Sequence, residues 1–183
     1  MSNRNLTTKE AFELAVKNHQ KNNIKEAQNF YSKILEIDPN FANAHYNLGN
    51  IFKELGENQK AKECYEKVIK INPNHADAHY NFGNIFKELG EHQKAKECYE
   101  KAIKIDPNFA NALNNLGVIF KELRENQKAK ECFEKTIEIN PSYVNAHNNL
   151  GAIFQRLGEN QKAKECYEKA IEINPDLFDT LSN

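Results

Sequence analysis

The sequence lacks a surplus of charge of either sign. In 183 residues, 25 Lys and Arg stand against 26 Asp and Glu, a net charge of −1. Nucleic-acid binding needs a basic footprint, so no nucleic-acid partner is expected. No apolar run approaches the ~18 residues of a membrane span, so no membrane association is expected either. The N-terminus, MSNRNLTTKEAF, lacks the apolar core of a secretory signal. The four cysteines include no Cys-X-X-Cys pair that could chelate zinc. Without an export signal they read as free thiols in a reducing compartment, the cytoplasm, and the acceptor triplet Asn5-Leu6-Thr7 is a chance match. Also missing are a nucleophile beside a base, a phosphate loop and a paired-carboxylate site. No catalytic activity, cofactor or metal is expected.

The few prolines, cysteines and glycines present are strictly spaced. Pro39, Pro73, Pro107, Pro141 and Pro175 follow one another at 34 residues, and Cys64, Cys98, Cys132 and Cys166 keep the same interval. All seven glycines occupy two repeat positions, Gly49, Gly83, Gly117 and Gly151 at one and Gly56, Gly90 and Gly158 at the other. The chain therefore divides into a lead-in at 1–7, five units at 8–41, 42–75, 76–109, 110–143 and 144–177, and a remnant at 178–183. Units two and three agree at 28 of 34 positions.

Each unit reads as two helices. In unit two, Ala44, Leu48, Ile51, Phe52 and Leu55 form one apolar stripe at helical spacing, followed by Gly56, where a helix end often needs a left-handed residue. Ala61, Cys64, Tyr65, Val68, Ile69 and Ile71 mark a second stripe, which Pro73 terminates. Glu63–Lys67 and Glu66–Lys70 are spaced for ion pairs on the solvated face of that helix. Thr7-Thr8-Lys9-Glu10 offers a capping box for the first helix. One such pair cannot bury its own apolar stripe, so neighbouring units must stack into a solenoid.

These residues resemble the tetratricopeptide repeat, or TPR. That family favours a large residue at position 4, Leu-Gly at 7–8, an aromatic at 11, Ala at 20, an aromatic at 24, a small residue at 27 and Pro at 32; unit two supplies His45, Leu48-Gly49, Phe52, Ala61, Tyr65, Val68 and Pro73. The resemblance spans 8–177 and implies an all-α, right-handed superhelical solenoid of helix-turn-helix repeats. Its concave groove would be lined by the first helix of each unit. Departures are few: unit one has Ala15 for Gly and Asn18 for the aromatic, and unit four has Arg124 in a turn where its neighbours have Gly.

The histidine row, His45, His79 and His147, reads as packing between units, and the cysteine row as small, half-buried side chains. The asparagine row, Asn47, Asn81, Asn115 and Asn149, differs. Asn43, Asn47, Asn50 and Glu54 form a polar stripe beside the apolar one. Asn is an indifferent helix former, so four in register call for a reason. The resemblance places this stripe in the groove, and a similar Asn ladder in the TPR arrays of protein O-GlcNAc transferases grips the backbone of extended peptides. A side-chain amide donates and accepts at once, which suits a peptide backbone of any sequence. The alternative is that these amides bond neighbouring helices. Tyr46 and Tyr80, Asn50 and Asn84, and Lys53, Lys87 and Lys121 complete the expected groove, whose charges balance at four against four once Arg156, Asp77, Glu54, Glu88 and Glu122 are counted. The Lys and Arg clamp of TPR co-chaperones is absent; of its positions only Lys9 is basic.

The expected function is a non-catalytic scaffold holding a peptide or partner protein. Two alternatives stand beside it: the substrate-recruiting region of a glycosyl- or sulfotransferase, and a self-associating assembly module. Phe178, Leu181 and Asn183 align with positions 1, 4 and 6 of a sixth unit. The sequence therefore reads as part of a longer protein, with an uncapped apolar end through which two copies could associate.

Overall fold

The computed structural model describes residues 6–176. Most of the lead-in, Asn5 of the acceptor triplet and the remnant at 178–183 lie outside the described residues. The element order is α1 (Thr8–Gln20), α2 (Ile24–Ile37), α3 (Ala42–Glu54), α4 (Asn58–Ile71), α5 (Ala76–Glu88), α6 (His92–Ile105), α7 (Ala110–Glu122), α8 (Asn126–Ile139), α9 (Val144–Arg156) and α10 (Asn160–Ile173), with no strand among the described residues. The fold is an all-α solenoid of helix pairs, as the repeat pattern requires.

Local sequence signals set the helix ends. The Thr7 hydroxyl accepts from the Glu10 N–H at 3.2 Å while the Glu10 carboxylate accepts from the Thr7 N–H at 2.9 Å, the reciprocal capping box that starts α1. Within each unit the first helix closes with a left-handed residue. In unit two Gly56 has φ 72°, its N–H donates to the Lys53 carbonyl at 3.0 Å, and the Glu57 N–H donates to the Phe52 carbonyl at 2.8 Å. These two bonds satisfy carbonyls that the helix end would otherwise strand. Asn22 and Arg124 adopt the same geometry at φ 61° and 60°. Each second helix ends at an Asp or Asn preceding Pro. Asn72, for example, is extended at φ −131°, ψ 90°, and its side chain caps the turn by accepting from the Asn74 N–H at 3.2 Å.

The chain forms two compact bodies, Met1–Ile85 and Phe86–Asn183, dividing inside α5. In the N-terminal body, Ala15, Ala27, Tyr31, Ile34, Ala44 and Ile51 are fully buried, with the Phe12 ring centroid 5.8 Å from that of Tyr31 and 5.3 Å from that of Phe41. Full burial of a side chain the size of Ile34 or Ile51 is worth about 1.5–3 kcal/mol. The repeated glycine sets how closely the two helices of a unit approach. A Cβ on Gly49 would lie 2.7 Å from Tyr65 Cε1. The C-terminal body repeats this device, with Gly117 against Phe133 (2.6 Å) and Gly151 against Tyr167 (2.7 Å).

Between successive units of the C-terminal body, the aromatic at position 11 is clasped by lysines. Phe120 carries the Lys96 and Lys128 ammonium groups each 5.4 Å from its ring centroid, and Phe154 carries those of Lys130 and Lys162. The expected pairs Glu63–Lys67 and Glu66–Lys70 do not form. Glu63 instead accepts from Gln59 Nε2 at 3.0 Å. The lysine ion pairs among the described residues join glutamates one turn away, as in Lys60–Glu57 (2.5 Å) and Lys130–Glu134 (3.8 Å). Gln59 thus takes the Glu63 carboxylate that Lys67 was expected to meet, and lysines 60 and 130, which do pair, also lie over Phe52 and Phe154.

The histidine row does more than pack. His45 Nε2 lies 2.9 Å from the Pro39 carbonyl, His79 Nε2 2.9 Å from Pro73 and His147 Nε2 2.9 Å from Pro141. Each imidazole ties the start of a unit to the turn that precedes it. Pro leaves its own carbonyl available there, and a ring N–H can donate to it.

Candidate amide-lined groove

The polar stripe expected to meet a ligand is knit together by side-chain hydrogen bonds. In the N-terminal body, Asn47 Nδ2 donates to the Tyr31 hydroxyl at 3.0 Å, and the Tyr65 hydroxyl donates to Asn50 Oδ1 at 2.7 Å. Asn81 Nδ2, on α5, reaches both the Tyr46 hydroxyl (3.2 Å) and Asn50 Oδ1 (3.1 Å). The Tyr46 ring packs against Tyr65 and His75, with centroids 6.1 and 4.8 Å away. Burial raises the pKa of Tyr31, Tyr46 and Tyr65, most strongly for Tyr65, so these hydroxyls remain protonated donors and acceptors.

Beside this network lies a cleft of about 380 Å³, lined by His19 from α1, Asn50, Lys53 and Glu54 from α3, and Asn81 from α5. His19 Nε2 is 3.2 Å from Glu54 Oε2 and closes one side. The cleft thus gathers Asn50, Asn81 and Lys53 from the expected groove set and adds His19, which the sequence had not placed there. Tyr80 is half-buried and Asn84 is buried, making Asn84 the least accessible residue of the set.

In the C-terminal body, Lys121 Nζ donates to Asn149 Oδ1 at 2.5 Å, and Asn114 Nδ2 donates to Asn115 Oδ1 at 3.4 Å. Arg156 Nη1 reaches the Lys121 carbonyl at 3.2 Å. Burial, and secondarily the Arg156 charge, lowers the Lys121 pKa against the pull of Glu122. Asn47, Asn81 and Asn149 therefore each bond to the preceding unit, the arrangement weighed as the alternative for this row. Each such contact uses one side of the amide: Nδ2 of Asn47 and Asn81, Oδ1 of Asn149. Lys87 is half-buried on α5. The last helix pair, at the end through which two copies could associate, carries a cleft of about 410 Å³ lined by Gln155 from α9 and Ala163, Tyr167 and Ile171 from α10 among others.

The tyrosine hydroxyls were the signal missed in the sequence. Position 24 is Tyr in units one, two, three and five, whereas core packing alone would accept Phe, as Phe133 shows. The cysteines are free; Cys98 is buried and the others half-buried. Burial pushes the thiols of Cys64 and Cys98 up to about 11 and that of Cys132 up to about 12. Thiols held protonated in this way are poor nucleophiles and metal ligands.

Comparison with known proteins agrees with this architecture. The tetratricopeptide repeat profile matches residues 42–75, 110–143 and 144–177, a second profile of the same repeat matches 18–56 and 83–124, and a third matches 64–97. The chain belongs to the tetratricopeptide repeat family. Among solved structures it is similar to MamA (27% identity over 90% of this chain and 96% of that one, TM-score 0.81). It is also similar to YrrB, described as a TPR protein with an unusual peptide-binding site (25% identity, 93% and 88% covered, TM-score 0.78). The MamA of Desulfovibrio magneticus RS-1 shares the fold at 22% identity, over 92% and 96% of the two chains, with a TM-score of 0.82. No curated protein matches the chain. Among the described residues, no helix is long and apolar enough to cross a membrane.

Proposed function

We propose that this chain is a non-catalytic protein-interaction scaffold of the cytoplasm that holds an extended peptide along the polar stripe of its first helices. The observation carrying this reading is the cleft of about 380 Å³ in which Asn50 and Asn81, braced by Tyr46 and Tyr65, stand beside Lys53. Bracing fixes the orientation of each amide in advance, which lowers the ordering cost of binding. Asn81 Nδ2 is committed to the scaffold, so its Oδ1 is the atom suited to accept from a peptide N–H. The likeness to YrrB, itself a TPR protein with a peptide-binding site, supports the same class of ligand.

A phage-displayed random peptide library selected on the folded chain tests the proposal. Enriched peptides should lose about a hundredfold in affinity on Lys53→Ala combined with Asn81→Ala, consistent with one charged and one neutral contact. Peptides that bind the double variant as tightly as the native chain would refute the assignment of the groove.

A further inference from the structure

We propose that Lys121, Asn149 and Arg156 form a subsite in the C-terminal body for a carboxylate carried by an extended peptide. The inference rests on the peptide-holding reading and names the chemistry one part of the ligand should have. Lys121 on α7 and Arg156 at the end of α9 occupy the twelfth and thirteenth repeat positions of successive units. Arg156 Nη1 is anchored by the Lys121 carbonyl at 3.2 Å and Asn126 Oδ1 at 3.4 Å, which holds the guanidinium over the end of α7. Lys121 Nζ is held by Asn149 Oδ1 at 2.5 Å. Two cations are thus drawn together by neutral acceptors alone.

No ion-pair partner is supplied by the described residues. Among the described residues of this body, the ion pairs join other lysines to glutamates and His92 to Glu122, and neither Lys121 nor Arg156 enters one. Glu122 is the carboxylate whose charge Lys121 feels, and its Oε2 lies 3.3 Å from His92 Nδ1. The lowered pKa of Lys121 has burial as its first cause and Arg156 as its second, so the ammonium is held beside a like charge whose repulsion an anion would relieve.

The donor set suits a carboxylate, which accepts only. The ammonium has three N–H groups and gives one to Asn149. The guanidinium has five N–H groups, and its bonds to the Lys121 carbonyl and Asn126 both run through Nη1. With Asn149 Oδ1 facing the ammonium, its Nδ2 adds further donors. Val118 and Ala152, both half-buried, replace the Asn found at the ninth position of units two and three, so that position offers no amide acceptor to either cation. The N-terminal body has no equivalent, since Glu54 stands at the thirteenth position beside Lys53 and His19.

Fluorescence anisotropy on the full chain would compare two pools of short fluorescein-labelled Ser/Ala peptides, one carrying Asp and Glu at alternate positions and the other Asn and Gln. The native chain should bind the acidic pool about fivefold more tightly, as one charge-assisted contact at a partly exposed site provides. Raising the salt concentration should erode that preference. Lys121→Gln with Arg156→Gln should abolish it, leaving the two pools bound equally by the variant, and Lys121→Arg should retain it. Equal binding of the two pools by the native chain, or a preference that survives the double substitution, would overturn the subsite. Amide-pool binding without acid preference overturns this inference alone, whereas binding of neither pool overturns the peptide-holding reading with it. If inorganic phosphate stabilises the native chain but not the double variant, and peptides show no acid preference, the pair serves a free anion and the inference is likewise overturned.

Discussion

Asn81→Ala separates scaffold from grip at the amide network. The substitution removes the donor to the Tyr46 hydroxyl (3.2 Å) and to Asn50 Oδ1 (3.1 Å). Asn50 keeps the Tyr65 hydroxyl at 2.7 Å and still lies beside the Tyr46 hydroxyl, so neither is left wholly without a partner. Two half-buried neutral hydrogen bonds are worth about 1–2 kcal/mol together. For a chain of this size that corresponds to a fall in Tm of about 2–8 °C. A loss of stability by itself therefore decides nothing about binding, and Tyr46→Phe is the matched control. It deletes the same hydroxyl partner, keeps the ring against Tyr65 and His75, and leaves the Asn81 Oδ1 in place. Circular dichroism would give the two melting temperatures, and anisotropy with a library-selected peptide would give the two affinities. The expected result is a comparable loss of stability in both variants, with binding weakened about tenfold in Asn81→Ala and less than twofold in Tyr46→Phe. Equal weakening in both would refute the reasoning, because Asn81 would then act only by holding α5 to α3.

Arg124 and the thiols supply further tests. Arg124 is exposed at φ 60° in the turn where Gly56, Gly90 and Gly158 have φ 72–77°. Relief of left-handed strain, offset by the added freedom of Gly in the unfolded chain, should make Arg124→Gly stabilising by about 0.5–1 kcal/mol in urea denaturation. A destabilised variant would mean that the Arg124 side chain contributes something the turn needs. The raised thiol pKa values have a definite sign. Unfolded thiols ionise from the ordinary value of 9.0, whereas Cys64, Cys98 and Cys132 stay protonated until about 11 or 12. Their contribution to stability is complete below pH 9 and is lost as pH climbs toward 11 and 12. Chemical denaturation across that window should show a steeper decline for the native chain than for a variant with these three cysteines changed to Ala; parallel curves would count against the burial assigned to them.

Most of the fold was legible without coordinates because repetition multiplies a weak local signal. One unit's apolar stripe is ambiguous, but the same stripe at 34-residue intervals, punctuated by Gly and Pro, leaves only stacked helix pairs. The capping box at Thr7, the left-handed turn residues and the ends before each Asn-Pro or Asp-Pro are backbone effects of a few adjacent residues, and these too follow from the sequence alone. What the amides do is of another kind. Asn47 meets Tyr31 across 16 positions and Asn81 meets Asn50 across 31, and such distances in sequence carry no local pattern. Nor does spacing reveal that His45 reaches the Pro39 carbonyl, or that Arg156 lies over the end of α7 and turns a balanced list of charges into an unpaired cationic corner. The sequence determined which residues repeat and so which helices form and stack. Only the tertiary structure decided which side of each amide is spent on the scaffold, because that depends on side-chain directions across helices brought together by packing.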